Sequence, residues 1–214
     1  WRLVVPGEDL DLEARKPQVR QGDRGLSPKS GEPGNASHYN GYTRLDARGE
    51  LATPQGTARV AGEAWFDHEW STSALGPGAV GWDWFSLQLD DGRELMYFQI
   101  RREDGGVEPV SGGTWVEGDG ATRRLRREDV VVRVLGRWTS PDSGASYPGR
   151  WRLVVPGEDL DLDVEPLVAD QEVRASFVYW EGAVRVTGRQ GGRPLTGRGY
   201  VELTGYARSM QGVF

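Results

Sequence analysis

The amino-acid sequence predicts an all-β protein, with antiparallel strands that close into a barrel or stack as a sandwich. Three observations predict it. Apolar and aromatic runs of strand length recur after residue 55, most of them bounded by glycine, proline or aspartate. Nine tryptophans and 31 glycines among 214 residues match a fold of strands and turns. No stretch of 11 residues carries a convincing helical period.

The elements follow in order. Residues 17–40 are rich in Gly, Pro, Ser and Asn and predict a loop. "GEAWFDHEW" (62–70) predicts a strand. Period-2 alternation puts Phe66, His68 and Trp70 on one face and Trp65, Asp67 and Glu69 on the other. "GWDWFSLQL" (81–89) and "RELMYFQIR" (93–101) are joined by Asp91-Gly92, a hairpin signal, and "EDGG" (103–106) ends the second strand. "DVVVRVLGRW" (129–138) is a further strand. "WRLVV" (151–155) and "DLDLDV" (159–164) are separated by a Pro-Gly turn, with the leucines of the latter on one side and its aspartates on the other. "ASFVYWEGAVRVTG" (175–188) and "GRGYVELTGY" (197–206) complete eight to ten antiparallel strands over 60–206.

The chain repeats itself. "WRLVVPGEDLDL" stands at 1–12 and again, letter for letter, at 151–162. Fainter matches follow: Gly41 and Arg44 with Gly182 and Arg185, then Trp65 and Asp67 with Tyr200 and Glu202. The repeat predicts two related barrel-like units, the first incomplete because its opening half would precede residue 1.

Composition narrows the function. No cysteine is present, which excludes disulfides and thiolate chemistry, and two histidines, His38 and His68, make a structural zinc site an unexpected feature. The net charge of −6 argues against a nucleic-acid partner, and "RRLRR" (123–127) beside Glu128 and Asp129 is expected to be a solvated face. No apolar run is long enough for a membrane helix, and no signal peptide opens the chain. Phosphate loops, serine elbows and dinucleotide fingerprints are absent, so no cofactor is expected.

The chemistry concentrates in "WFDHEW" (65–70). A histidine among aromatics can hold or protonate a ligand, or can sit as a satisfied core residue. Asp67 and Glu69, two strand residues apart, would have carboxyls roughly 7 Å apart, a spacing compatible with paired acids or with a solvated face. Trp82 and Trp84 share a face and can form an aromatic wall, or pack a core. Tyr179 and Glu181 share a face, with Trp180 opposite.

Taken in order, "GEAWFDHEWS", "GWDWFSLQLDDGRELMYFQIR", "YPGRWRLVVP", "YWEGAVRVTG" and "GYVELTGY" resemble the lipocalin-like carotenoid 1,2-hydratase (hydroxyneurosporene synthase) family, whose relatives include attachment-type proteins and predicted secreted hydrolases. The resemblance covers nearly the whole chain. It implies calycin (lipocalin-like) antiparallel β-barrels: a partial amino-terminal domain over 1–55 and a complete carboxy-terminal one over 56–214. It implies an apolar small-molecule ligand, cofactor-free hydration, and export to the periplasm or beyond. Asp67, His68 and Glu69 are the catalytic candidates. Trp70, Trp82, Trp84, Tyr97, Gln99, Tyr179 and Trp180 are the ligand-binding candidates; no metal ligands are expected. The alternatives are a non-catalytic exported interaction protein and a hydrolase using Asp67 and Glu69. The "WFDHEW" strand is expected to open the carboxy-terminal domain with His68 facing the barrel interior. Asp67 would then face solvent or the segment 1–55, where Arg15, Arg20 and Arg44 could pair with it.

Overall fold

A computed structural model describes residues 2–71 and 75–213. They form sixteen strands in two curled antiparallel sheets, with two short 3₁₀ turns and no α-helix among the described residues. The first sheet holds β1 (Arg2–Val5), β2 (Glu8–Ala14), β3 (Val19–Arg20), β4 (Leu26–Pro28), β5 (Ala36–Thr53) and β6 (Gly56–Trp70). Strand β5 is its spine, paired to β2, β3, β4 and β6. The second sheet holds β7 (Ala79–Leu89), β8 (Glu94–Arg102), β9 (Gly112–Val116), β10 (Thr122–Arg126), β11 (Val131–Thr139), β12 (Ser146–Val155), β13 (Leu160–Pro166), β14 (Glu172–Arg174), β15 (Val178–Gln190) and β16 (Arg193–Leu203). Its order is β10-β9-β8-β7-β16-β15-β13-β12-β11, with β14 on β15, so the last long strand returns beside the first.

Local chemistry sets the joints. Gly92, at φ +86°, closes the β7–β8 hairpin, a conformation open to glycine. In β13, Leu160, Leu162 and Val164 are buried while Asp161 and Asp163 face outward to Arg152 and Arg150. Phe85, Leu87, Trp115, Trp151, Leu153 and Trp180 fill the hollow of the second sheet, each at most 1% exposed.

Glu94 pins the two sheets together. Its carboxylate is fully buried and accepts Lys16 Nζ at 2.8 Å, Arg44 Nε at 2.6 Å and Thr43 Oγ1 at 3.1 Å. Gln88 Nε2 donates to the Thr43 carbonyl at 2.8 Å beside it. Two cations and a hydroxyl compensate one buried carboxylate, so losing either cation leaves that charge with only part of its compensation.

The strand 56–70 departs from expectation. It pairs with β5 along its length, from His38↔Trp70 to Thr53↔Gly56, instead of opening the second sheet. The boundary between the sheets falls after Trp70. The loop expected over 17–40 carries the short strands β3 and β4, held to β5 by backbone bonds. No helix among the described residues is long and apolar enough to cross a membrane.

Candidate functional site

A cavity of about 970 Å³ lies between the two sheets. Strands β5 and β6 and the Lys29 segment give one wall; β7, β8, β15 and β16 give the other. Alternation along β6 sends Trp65, Asp67 and Glu69 into it, and alternation along β7 sends Trp82 and Trp84.

Asp67 is the buried acid of the first wall. The Tyr39 hydroxyl donates to its Oδ2 at 2.8 Å, and Trp84 Nε1 donates to the Tyr39 oxygen at 3.1 Å. Its Oδ1 and the neighbouring Trp65 Nε1 make no well-aligned hydrogen bond, although the Trp65 indole lies close enough to pull the carboxyl down. Burial pushes the Asp67 carboxyl up to about 6, against the pull of the Tyr39 bond. Burial, with Asp67 and Glu69 nearby, pushes the Tyr39 phenol well above its usual value, so it stays a donor. Gly41 lies opposite Asp67 in the ladder, and a Cβ there would collide with the carboxylate and the Phe66 carbonyl. Glycine keeps that acid in place.

Glu202 is the acid of the second wall. Trp82 Nε1 donates to it, and burial pushes its carboxyl up to about 7, with Glu181, Glu69 and Asp67 adding repulsion. Glu69 is different. It is neutralised by Lys29 at 2.5 Å and accepts the Ser37 hydroxyl. Lys29 in turn sits 4.8 Å from the centre of the Phe98 ring. Trp65 meets Trp84 edge-on at 6.3 Å, so the wall is aromatic around both acids.

The sequence candidates divide accordingly. Asp67, Glu69, Trp82 and Trp84 come together in the cavity, and Trp70 reaches its rim at 48% exposure. His68 does not. It lies on the opposite, exposed face of β6, its ring 4.7 Å from Trp70, and Phe66 beside it is 48% exposed. The expected assignment of faces is thus reversed, because the second sheet packs against the Asp67 side. Arg15 and Arg44 do not reach Asp67; they pair with Asp46 and with Glu63 and Glu94. Arg20 is exposed on β3. Tyr97 lies in the packed hollow, its hydroxyl 3.5 Å from the Arg127 carbonyl, and burial pushes it to about 12. Gln99 donates to Asp83, away from the cavity. Trp180 belongs to the core, with Nε1 on the Ala169 carbonyl at 2.9 Å. Tyr179 is half-buried beside Glu181 and is pushed to about 12 by burial and that carboxylate.

Sequence reasoning missed Tyr39, Lys29 and Glu202 as site residues. A signal for Glu202 was present: the faint repeat pairs Asp67 with Glu202, and the two strands it relates deliver one acid each to the same cavity. Among the described residues no cluster of three metal-binding side chains occurs.

Two curled antiparallel sheets with an aromatic, acid-bearing cavity between them define a lipocalin-like protein. An AttH-like family model matches residues 3–206, and the chain belongs to that family. It is similar to the crystal structure of an AttH protein from Nitrosomonas europaea, at 35% identity and a TM-score of 0.85, over 97% of this chain and 64% of that one. The fold also matches kievitone hydratase from Nectria haematococca, at 19% identity and a TM-score of 0.76, over 94% of this chain and 61% of that one. The chain thus spans less than two thirds of either relative. Among curated proteins the sequence has no match.

Proposed function

We propose that the inter-sheet cavity binds an apolar alkene and adds water across its double bond by cofactor-free acid–base chemistry. One observation carries this reading: two carboxyls, one from each sheet, are both raised toward neutrality inside one aromatic cavity. Two acids held at different values divide naturally into roles. Glu202, at about 7, holds a proton in about half of the molecules near neutral pH and donates it to the alkene carbon. Asp67, at about 6, is largely ionised there and accepts the proton of the attacking water, with Tyr39 fixing its carboxylate. The faces of Trp65, Trp82 and Trp84 stabilise the intermediate cation. The proton delivered by Glu202 is restored from the one Asp67 receives, and the sum is alkene plus water. The hydratase neighbour, a match of fold alone, is compatible with this chemistry.

His68 takes no part in this reading. Glu69 is held by Lys29 and serves as a wall. The test is incubation with isoprenoid alkenes in ¹⁸O-water, with the labelled alcohol read by mass spectrometry. Label incorporation should fall at least 100-fold in Glu202→Gln and Asp67→Asn while ligand still quenches tryptophan fluorescence. Unlabelled products throughout, or full incorporation in both variants, would overturn it.

A further inference from the structure

We infer that the cavity selects apolar molecules with a positively charged, hydrogen-bond-donating head, an alkyl or aryl ammonium, and rejects apolar carboxylates. This rests on the reading that the inter-sheet cavity is the ligand site, and it is independent of whether water is added there.

The argument is an account of donors and acceptors. Five carboxylates line the cavity: Glu63, Asp67, Glu69, Glu181 and Glu202. Two cations face them, and both are committed. Lys29 is bound to Glu69 at 2.5 Å and seated over the Phe98 ring. Arg198 has a side chain 68% exposed at the rim, 3.9 Å from Asp90. Four neutral donors are spent as well. Trp82 N–H serves Glu202, Trp84 N–H serves Tyr39, Tyr39 O–H serves Asp67, and the Gln88 amide serves the Thr43 and Ala64 carbonyls. The Trp65 N–H stands beside the Asp67 carboxylate. A ligand carboxylate would enter among like charges, with the Tyr200 hydroxyl and the Trp70 N–H left to receive it.

An ammonium meets the reverse. Asp67 Oδ1 is a buried acceptor with no well-aligned hydrogen bond, only the Trp65 indole standing near it, so a ligand donor can satisfy it better than the protein does. The aromatic faces of Trp65, Trp82 and Trp84 attract a cation by their quadrupoles. The rest of the lining, with Leu75, Ile100, Ala183 and Val184, takes an apolar tail. A chain of about ten carbons fits readily within the volume of the cavity.

The experiment titrates decylammonium, decanol and decanoate at pH 8, below their aggregation limits, and follows tryptophan fluorescence. At that pH both acids are charged and the three probes differ only in the head group. Decylammonium should bind at least tenfold tighter than decanoate, with decanol between. In the Asp67→Asn/Glu202→Gln chain, checked for folding by circular dichroism, the ammonium-to-carboxylate ratio should fall several-fold while decanol binding holds. The Glu202→Gln single variant replaces it where the double one does not fold. Decanoate binding as tightly as decylammonium overturns the inference. So does a ratio unchanged in the variants, which would mean attraction to the acidic surface at large. Failure of hydration alone leaves the binding order untouched.

Discussion

The same twelve residues, WRLVVPGEDLDL, stand at the start of each sheet's hairpin, and the fold treats them differently. At 151–162, Trp151, Leu153, Val155, Leu160 and Leu162 are at most 1% exposed. At 1–12, Leu3 is 39% and Val5 43% exposed. The turns differ too. The first copy turns over Pro6-Gly7, with Val5 opposite Glu8 and Gly7 at φ +92°. The second uses a 3₁₀ turn over Pro156–Glu158 and puts Asp159 at φ +48°, with Val155 opposite Leu160. Leu3 therefore faces Leu10, whereas its counterpart Leu153 faces Leu162, two residues farther along. A shift of two keeps every side chain on its face, so the letters permit both registers. Neighbours decide between them. A glycine of the next strand lies opposite each paired leucine, Gly49 against Leu10 and Gly188 against Leu162. β12 is flanked on both sides, by β11 and β13, while β1 pairs only with β2 among the described strands. Alternation is written in the residues; burial and register come from the partners.

The largest test of this contrast is paired truncation. Leu153→Ala should cost about 2–5 kcal/mol, because a buried leucine leaves a cavity. Leu3→Ala, the same change in the same local sequence, should cost under about 1 kcal/mol. Urea unfolding of both variants checks it, and equal losses would mean that the first copy is packed as the second is.

Carboxylates sharpen the comparison next. Asp161 sits in D-L-D on a surface strand, and the Arg152 hydrogen bond holds it below the usual range. Asp67 sits in D-H-E, and burial raises it. For raised carboxyls the folded state holds protons more tightly than the unfolded chain, so their contribution favours folding at low pH and fades as pH climbs through the folded values, about 6 and 7. Stability should fall by about 3 kcal/mol from pH 5 to pH 8 on account of Asp67 and Glu202. Thermal melts across that range should show the slope, and Asp67→Asn/Glu202→Gln should flatten it.

This contrast also marks how far the sequence could be read. Strand positions, the Asp91-Gly92 hairpin and the faces of 159–164 were legible, because period and turn chemistry are local. The polarity of 62–70 was not. Both faces of β6 carry aromatics, Phe66 and Trp70 on one and Trp65 on the other, so alternation defined two sets without saying which was inside. The second sheet settles that by packing on the Asp67 side, a long-range fact. Tyr39 was hidden for the same reason: it lies 28 residues before Asp67 and meets it only through the β5–β6 register.

A smaller effect separates the two turns. Gly7→Ala should destabilise by about 1 kcal/mol, since φ +92° strains any residue with a Cβ. Gly157→Ala, its counterpart, meets only Arg123 Nη2 at 3.8 Å and no positive φ, so melts of that variant should stay near the parent. If both alanines cost the same, the two copies share one turn.

The smallest effect is the most specific to register. Arg2 bonds Asp9 at 2.8 and 2.7 Å. Its counterpart Arg152 bonds Asp161, which corresponds to Asp11 and not to Asp9. In both copies the arginine bonds the aspartate two residues before its ladder partner, Asp11 opposite Arg2 and Asp163 opposite Arg152, so the two-residue shift moves the bonded position from Asp9 to the counterpart of Asp11. Both pairs are exposed, so each contributes little and is screened by salt. Double-mutant cycles at low ionic strength resolve such couplings. Coupling is expected between Arg2 and Asp9 and between Arg152 and Asp161, and should fade in salt. The pair that the first copy's register would bring together in the second, Arg152 with Asp159, should be weaker. Were Arg152 coupled chiefly to Asp159, the second hairpin would share the register of the first, and the difference in burial would have to arise from missing neighbours alone.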